Sequence, residues 1–258
     1  MASTSPQKQV ALVTGASSGM GKETAKRLLQ EGLTVYVAAR RLAQMEDLRA
    51  LGALPLQMDI SVDANIVSAL QTITKGHGGI DVLVNNAGFG MYGAMEDSTL
   101  ADARYQFEVN LFGMARLTQL ALPYMRRQGA GKVINISSMG GKMYTPLGSW
   151  YHATKHAVEG WSDCLRIELA PFGIHVVIIE PGVIATEWGG VMLEPMLARS
   201  GQGPYQAMAQ AMEATRALYA ALNAEQQKLF DSQAPMAGMG MGMGGKHRHE
   251  HGGMRRGG

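Results

Sequence analysis

Apolar positions along the chain fall into short continuous runs separated by longer stretches of helical spacing. Residues 10–13, 34–39, 54–59, 80–84, 132–137 and 175–180 form the runs. A short run without polar alternation suits a strand buried on both faces, as in a parallel sheet. Between the runs, KETAKRLLQEG, the stretch with Ile66, Val67, Leu70 and Ile73, residues 100–128 and residues 150–170 repeat their apolar positions every three or four residues. That is the spacing of amphipathic helices. Strand and helix in alternation predict an α/β fold, a parallel sheet covered on both faces.

The pattern changes after residue 188. GPYQAMAQAMEATRALYAALNAEQQKLFDSQ reads as one or two helices, and no strand-like run follows. A six-stranded sheet with an exposed edge or a substitute cover is therefore expected. From residue 234, APMAGMGMGMGGKHRHEHGGMRRGG is glycine-dense and has too little to bury to offset its ordering entropy, which predicts a disordered tail over 234–258. His247, His249 and His251 offer donors to a transition metal, but a passive tail is the simpler reading, and no metal site is assigned.

The chain's 258 residues suit one α/β domain, residues 8–233, with a core at 8–188 and a helical part at 189–233. A formal charge of +2 implies neither nucleic acid nor an anionic membrane surface as partner. The single cysteine, Cys164, excludes an intrachain disulfide and fits a reducing compartment; its helical context predicts a small buried side chain. The stretch MASTSPQKQV lacks a signal peptide's apolar core, and no run approaches the length of a membrane span, so a soluble cytoplasmic protein is expected.

Three stretches carry candidate chemistry. GASSGMG follows the first strand and opens the first helix. There, glycines let the backbone approach a pyrophosphate and the helix terminus offers unpaired N–H groups. The position about 20 residues further on, where an acidic residue would hold the ribose 2′-hydroxyl of NAD, reads Ala39, Arg40, Arg41. With no carboxylate to repel a 2′-phosphate and two guanidiniums to pair with it, NADP(H) is inferred; two solvated arginines opening a helix are the alternative. His77, in a glycine turn, is expected to be exposed.

The third stretch is SSMGGKMYTPLGSWYHATK, residues 137–155. On a helix, Tyr151 and Lys155 leave one face a turn apart, placing a cation beside a phenol. Bringing a phenol of pKa about 10 near neutrality takes about 4 kcal/mol of preferential phenolate stabilisation. A partly desolvated ammonium and a cationic cofactor ring can supply it, making Tyr151 a general acid-base for an alcohol or carbonyl. Ser138 ends the fifth apolar run, where a strand delivers its hydroxyl to the carboxyl edge of the sheet. Asn110 lies inside a helical pattern that asparagine disfavours, as either a surface residue or an irregularity with a purpose.

Taken together, TGASSGMG, NNAG, Asn110, Ser138, YHATK and EPGVIAT resemble the short-chain dehydrogenase/reductase family over residues 8–188. The resemblance implies a Rossmann-like doubly wound sheet and a catalytic tetrad. Tyr151 would be the acid-base. Lys155 would lower its pKa and bind the nicotinamide ribose, Ser138 would polarise the substrate oxygen, and Asn110 would hold a proton-relay water. By the same likeness Gly15, Ser17, Gly19, Met20 and Gly21 would hold the diphosphate and ribose. Asp59 and Ile60 would hold the adenine, Asn86, Ala87 and Gly88 the wall beside it, and Pro181, Gly182, Ile184 and Thr186 the carboxamide.

VAARR and the wording around YHATK resemble the hydroxysteroid and retinol dehydrogenase-like branch, which implies a small hydrophobic carbonyl or alcohol substrate. Met139, Met143, Tyr144, Leu147 and Trp150 would form an apolar wall for it, or else ordinary packing. The family likeness also implies a homo-oligomer, with a dimer favoured. The departure after residue 188 leaves an alternative, a dinucleotide-binding protein with impaired or no catalysis because the substrate-covering region is replaced.

Overall fold

A computed structural model describes residues 8–182 and 188–233. Six parallel strands, β1 (Val10–Thr14), β2 (Thr34–Ala39), β3 (Leu54–Gln57), β4 (Val82–Asn85), β5 (Gly131–Ile136) and β6 (Ile174–Ile179), form one sheet in the order β3-β2-β1-β4-β5-β6. The chain runs outward from β1 through β2 to β3, then returns to β4 on the other side of β1. The carboxyl ends of β1 and β4 therefore flank the point where strand order reverses, the place at which open α/β sheets bind ligands. The fold is Rossmann-like, as the sequence led us to expect.

Alternation within β1 assigns the two layers. Val10 and Leu12 join a core with Ile66 and Ile73 of helix α3 (Asp63–His77), Leu117 and Met125 of α5 (Gly113–Gln128), and Leu165 of α6 (Ser149–Leu169). Ala11 and Val13 face the opposite way, against Ala25 of α1 (Gly19–Gln30) and Leu48 of α2 (Glu46–Ala50). Leu12, Leu83, Ile73 and Leu117 are fully buried, each contributing about 1.5–3 kcal/mol by removal from water. A third cluster sits over the carboxyl edge, where Tyr92, Leu147 and Tyr151 meet Leu193 and Met196 of α7 (Trp188–Ser200) and Ala209 of α8 (Gln206–Ala221). A short helix, α9 (Ala224–Gln233), ends the described chain.

Several local expectations need correction. The helical stretch 100–128 is two helices, α4 (Leu100–Phe107) and α5, joined by one π-turn over Glu108–Phe112 with Asn110 fully buried at its centre. Asn110 is thus an irregularity and not a surface residue. The third strand stops at Gln57, and Asp59 lies in the turn beyond it, where its Oδ1 accepts from the N–H and hydroxyl of Ser61 at 2.9 and 2.7 Å. Cys164 is exposed, because the buried face of α6 runs through Tyr151, Lys155, Val158, Ser162, Leu165 and Leu169 and Cys164 falls between its turns. His77 is only partly exposed, since its Nδ1 meets the Tyr36 hydroxyl at 2.8 Å. The expected tail, 234–258 with its three histidines, lies outside the described residues. Among the described residues no helix is long and apolar enough to cross a membrane, and no strand pairs beyond β6, whose Val177 and Ile179 are exposed.

Candidate active site

The glycine turn is built before any ligand arrives. Gly15 and Gly19 hold φ of +65° and +54°, which favour glycine. Close approach selects glycine a second time. A Cβ on Gly15 would lie 2.9 Å from the Ala87 Cα, and one on Gly21 would lie 2.6 Å from the Gly15 carbonyl oxygen. Thr14 ties β1 to β4: its Oγ1 accepts the Asn86 and Ala87 N–H groups at 3.0 and 2.9 Å. Asn86 Nδ2 returns bonds to the Thr14 and Gly15 carbonyls at 2.9 and 3.2 Å. The first turn of α1 has no side-chain cap from Ser18 and no acidic residue. Its free N–H groups and positive dipole end face the reversal point, so the cradle fits a dinucleotide diphosphate. Ser17 and Met20 border it, partly and more fully exposed.

Arg40 and Arg41 follow the end of β2, both exposed, and neither takes part in an ion pair among the described residues. Arg40 Nη1 lies 3.4 Å from the Tyr105 hydroxyl. Both guanidiniums therefore have donors to spare beside the ribose side of the cradle. Ile60 is buried, and its carbonyl packs so tightly on α5 that only glycine fits at Gly113.

The four candidate catalytic side chains converge from three places: α6, the turn after β5 and the π-turn. Tyr151 and Lys155 lie in the first two turns of α6, 5% and 7% exposed. Ser138 follows β5 and opens the short turn Met139–Gly141; it hydrogen-bonds with Tyr151, and its Oγ accepts the Gly140 N–H at 3.0 Å. Asn110 accepts the Phe89 N–H at 3.0 Å, and its amide donates to the Phe89 carbonyl at 2.9 Å and to Thr154 Oγ1 at 3.1 Å. The π-turn thereby points Asn110 at the strand-four loop and α6 together. A Cβ on exposed Gly88 would come within 3.2 Å of Asn110 Oδ1 and 3.9 Å of Lys155 Nζ. Gly88 thus leaves open the approach from the cradle to these groups. Pro181 and Gly182 border the same turn, the Pro181 carbonyl accepting the Met139 N–H at 3.0 Å. Ile184 and Thr186 lie outside the described residues.

The electrostatics differ from the sequence expectation. Lys155 Nζ donates to the Ile136 carbonyl at 2.9 Å, and burial pulls its pKa down to about 8 against the field of Glu159 one turn on. Burial pushes the Tyr151 phenol above its ordinary value, and the Ser138 hydrogen bond partly offsets the rise. The i, i+4 spacing puts the two side chains on one face, but the carbonyl at the end of β5 claims the ammonium. In the chain alone, the phenol is protonated at neutral pH.

Of the expected apolar wall, Met143 and Leu147 are buried near Tyr151, Trp150 is half-buried, and Met139 and Tyr144 are exposed. Sequence reasoning missed Tyr92, whose buried ring packs 5.5 Å from that of Tyr151. Burial raises its phenol too, followed by the influence of Tyr151. It also missed the polar chain in which Asn85 donates to Thr118 and Asn135, and Asn135 to Ser162, at 2.9–3.1 Å. That chain fastens β4 and β5 to α5 and α6 beneath the site. Asparagines inside apolar strands were its available signal, since a buried amide needs partners.

Cradle, reversal point and the Ser138, Tyr151 and Lys155 grouping define a Rossmann-like protein whose carboxyl edge fits a nicotinamide dinucleotide. The chain belongs to the short chain dehydrogenase family, whose model matches residues 9–194. It is 41% identical over 177 residues to 3-ketodihydrosphingosine reductase of Bacteroides thetaiotaomicron, a match covering 68% of this chain and 64% of that protein. It is 38% identical over 206 residues to the NADPH-dependent 3-dehydrocapnine reductase of Ornithobacterium rhinotracheale, covering 76% of this chain and 70% of that one. The crystal structure of a short-chain dehydrogenase from Streptomyces avermitilis superposes with a TM-score of 0.69 at 43% identity, over 71% of this chain and 69% of that one.

Proposed function

We propose that the protein is an NADP(H)-dependent oxidoreductase that reduces a hydrophobic ketone or aldehyde to its alcohol, and oxidises the alcohol in reverse. The observation that carries this reading is the buried Tyr151 phenol, hydrogen-bonded with Ser138, one helical turn from Lys155 and open toward the dinucleotide cradle across Gly88. NADPH, when bound, supplies the hydride. Tyr151 donates its proton to the substrate oxygen as negative charge develops there, and Ser138 hydrogen-bonds that oxygen. A phenol held protonated is in the right state for reduction. Lys155 anchors the nicotinamide ribose, and Asn110 holds the loop at Phe89 and Thr154 in place around it. Arg40 and Arg41 pair with the 2′-phosphate.

Support for the reductive direction also comes from the names of two relatives, both reductases, one of them NADPH-dependent. Apolar Tyr92, Leu147, Leu193 and Met196 around Tyr151 favour a hydrophobic substrate. A homodimer through α4, α5 and α6 belongs to the same reading, supported by exposed Phe112 in the π-turn between α4 and α5 and exposed Ile167 on α6.

Fluorescence titration with NADPH and NADH, followed by a panel of hydrophobic ketones and aldehydes, tests the proposal. We expect NADPH to bind at least tenfold tighter, turnover on one or more carbonyls, and loss of turnover with retained cofactor binding in Tyr151→Phe. Comparable activity in that variant would sink the assignment. Cofactor binding without turnover on any carbonyl would favour a dinucleotide-binding protein lacking catalysis.

A further inference from the structure

His152 follows Tyr151 on α6 and is 5% exposed, yet the proposed chemistry gives it no task. Both ring nitrogens are engaged. Nδ1 lies 2.8 Å from the Gly140 carbonyl oxygen, and Nε2 lies 3.0 Å from the Thr145 backbone nitrogen and 2.9 Å from its hydroxyl. A carbonyl oxygen only accepts and a backbone N–H only donates. The neutral ring with its proton on Nδ1 is the one form that satisfies both.

Gly140 belongs to the turn that Ser138 opens, and its own N–H donates to Ser138 Oγ. The hydroxyl and the imidazole thus hold the same residue from its two ends. The seat leaves little slack. A Cβ on Gly140 would lie 3.1 Å from Nδ1 and 3.0 Å from the Tyr151 ring, and one on Gly148 would lie 2.8 Å from Nε2. Leu147, between Thr145 and the helix, is held at φ +59°, and its carbonyl accepts the Gly93 N–H at 2.7 Å. A strained residue persists where its surroundings over-determine it.

We propose that His152 is a positioning residue: its neutral ring braces Gly140 and Thr145 against α6, holding Ser138 in register with Tyr151, and its protonation in acid releases the Thr145 end of that brace and stops catalysis. The inference rests on the oxidoreductase reading for its effect on turnover, but not for the brace itself.

A proton on Nε2 would set donor against donor at Thr145 and remove that half of the brace. Burial holds the His152 pKa below its usual value, outweighing the hydrogen bonds at Gly140 and Met143, and His156, one turn away, pushes the same way. The other titratable groups facing the ring are Tyr92, edge-on at 6.2 Å, and Tyr151. No carboxylate charge acts on it. The brace is therefore complete above pH about 6.5, the value of a free imidazole, and is lost as pH falls through the lower folded value.

The test measures kcat/KM for an aryl methyl ketone with NADPH between pH 4.5 and 8 in wild type, His152→Asn and His152→Ala. Wild type should show an acid limb below pH 6.5 that is missing in His152→Asn, whose amide still donates to Gly140 but does not titrate. His152→Ala should lose about 100-fold in kcat, the scale of a misplacement near 1 Å, with NADPH affinity within twofold. An unchanged acid limb in His152→Asn, or unchanged kcat in His152→Ala, overturns the proposal. Should the variants not fold, nitrogen-15 NMR of the wild type decides: we expect the Nδ1–H tautomer and Gly140 and Thr145 amide signals that shift with the midpoint of His152. The other tautomer, or amides indifferent to that titration, would overturn the brace. Wild type without turnover on any carbonyl would refute the oxidoreductase reading alone, leaving the NMR result to judge the brace.

Discussion

Replacing Lys155 by methionine should stabilise the protein at neutral pH while removing its activity. Burial holds the ammonium at a pKa of about 8 against 10.5 for a free lysine. By linkage, keeping this group charged at pH 7 costs the fold about 3 kcal/mol. Methionine matches the length of the side chain without the charge. It gives up the hydrogen bond to the Ile136 carbonyl, worth about 1 kcal/mol net. The remainder, about 2 kcal/mol, corresponds to a Tm about 4–8 °C higher in a domain of this size.

The pH dependence is the sharper signature. Between pH about 8 and 10.5 the folded lysine has lost its proton and the unfolded one has not, so wild-type stability rises through that window and the variant's does not. The advantage of Lys155→Met should shrink and then reverse, leaving wild type ahead by about 1 kcal/mol from the retained hydrogen bond. Urea denaturation of both proteins at pH 7, 8.5, 9.5 and 10.5 measures the difference directly, and groups common to both cancel. A variant less stable than wild type at pH 7, or a difference independent of pH, would refute the reasoning.

Two further substitutions test the frame of the site. Gly21→Ala places its Cβ against the Gly15 carbonyl oxygen at 2.6 Å and against the Asn86 amide; NADPH affinity measured by fluorescence should fall about 100-fold, about 2.7 kcal/mol, with the far-ultraviolet spectrum unchanged. Asn110→Ala removes three hydrogen bonds and leaves the Phe89 N–H without its side-chain acceptor, while the Phe89 carbonyl keeps only the Gln106 amide at 3.2 Å. Chemical denaturation should show a loss of about 2–4 kcal/mol, and a loss under 1 kcal/mol would mean that the π-turn holds without its asparagine.

Much of this protein was legible in one dimension. Continuous apolar runs at residues 10–13 and 34–39 identified buried parallel strands, because a strand covered on both faces dispenses with alternation, whereas the run at 175–180 became β6, one face of which is exposed at Val177 and Ile179. The glycines at 15, 19 and 21 marked a backbone turn that side chains would obstruct, and the structure supplies the contacts that make it so. Asn110 announced an irregularity through its poor fit to a helix, and a π-turn sits there. Cys164 and His77 were misjudged because burial on a helix face or in a turn depends on what packs opposite, which local spacing does not carry.

What the sequence by itself determined was the class of fold, the order of its elements and the residue types brought to the carboxyl edge, since periodicity, glycine and spacing along one helix are local properties. The tertiary structure alone decided which partner each group takes. It turned the Lys155 ammonium to a strand carbonyl, gave His152 two backbone partners seven and twelve residues away, and set Tyr92 against the Tyr151 ring. Desolvation and hydrogen-bond competition depend on atoms distant in the chain, so proton affinities in the site follow from packing.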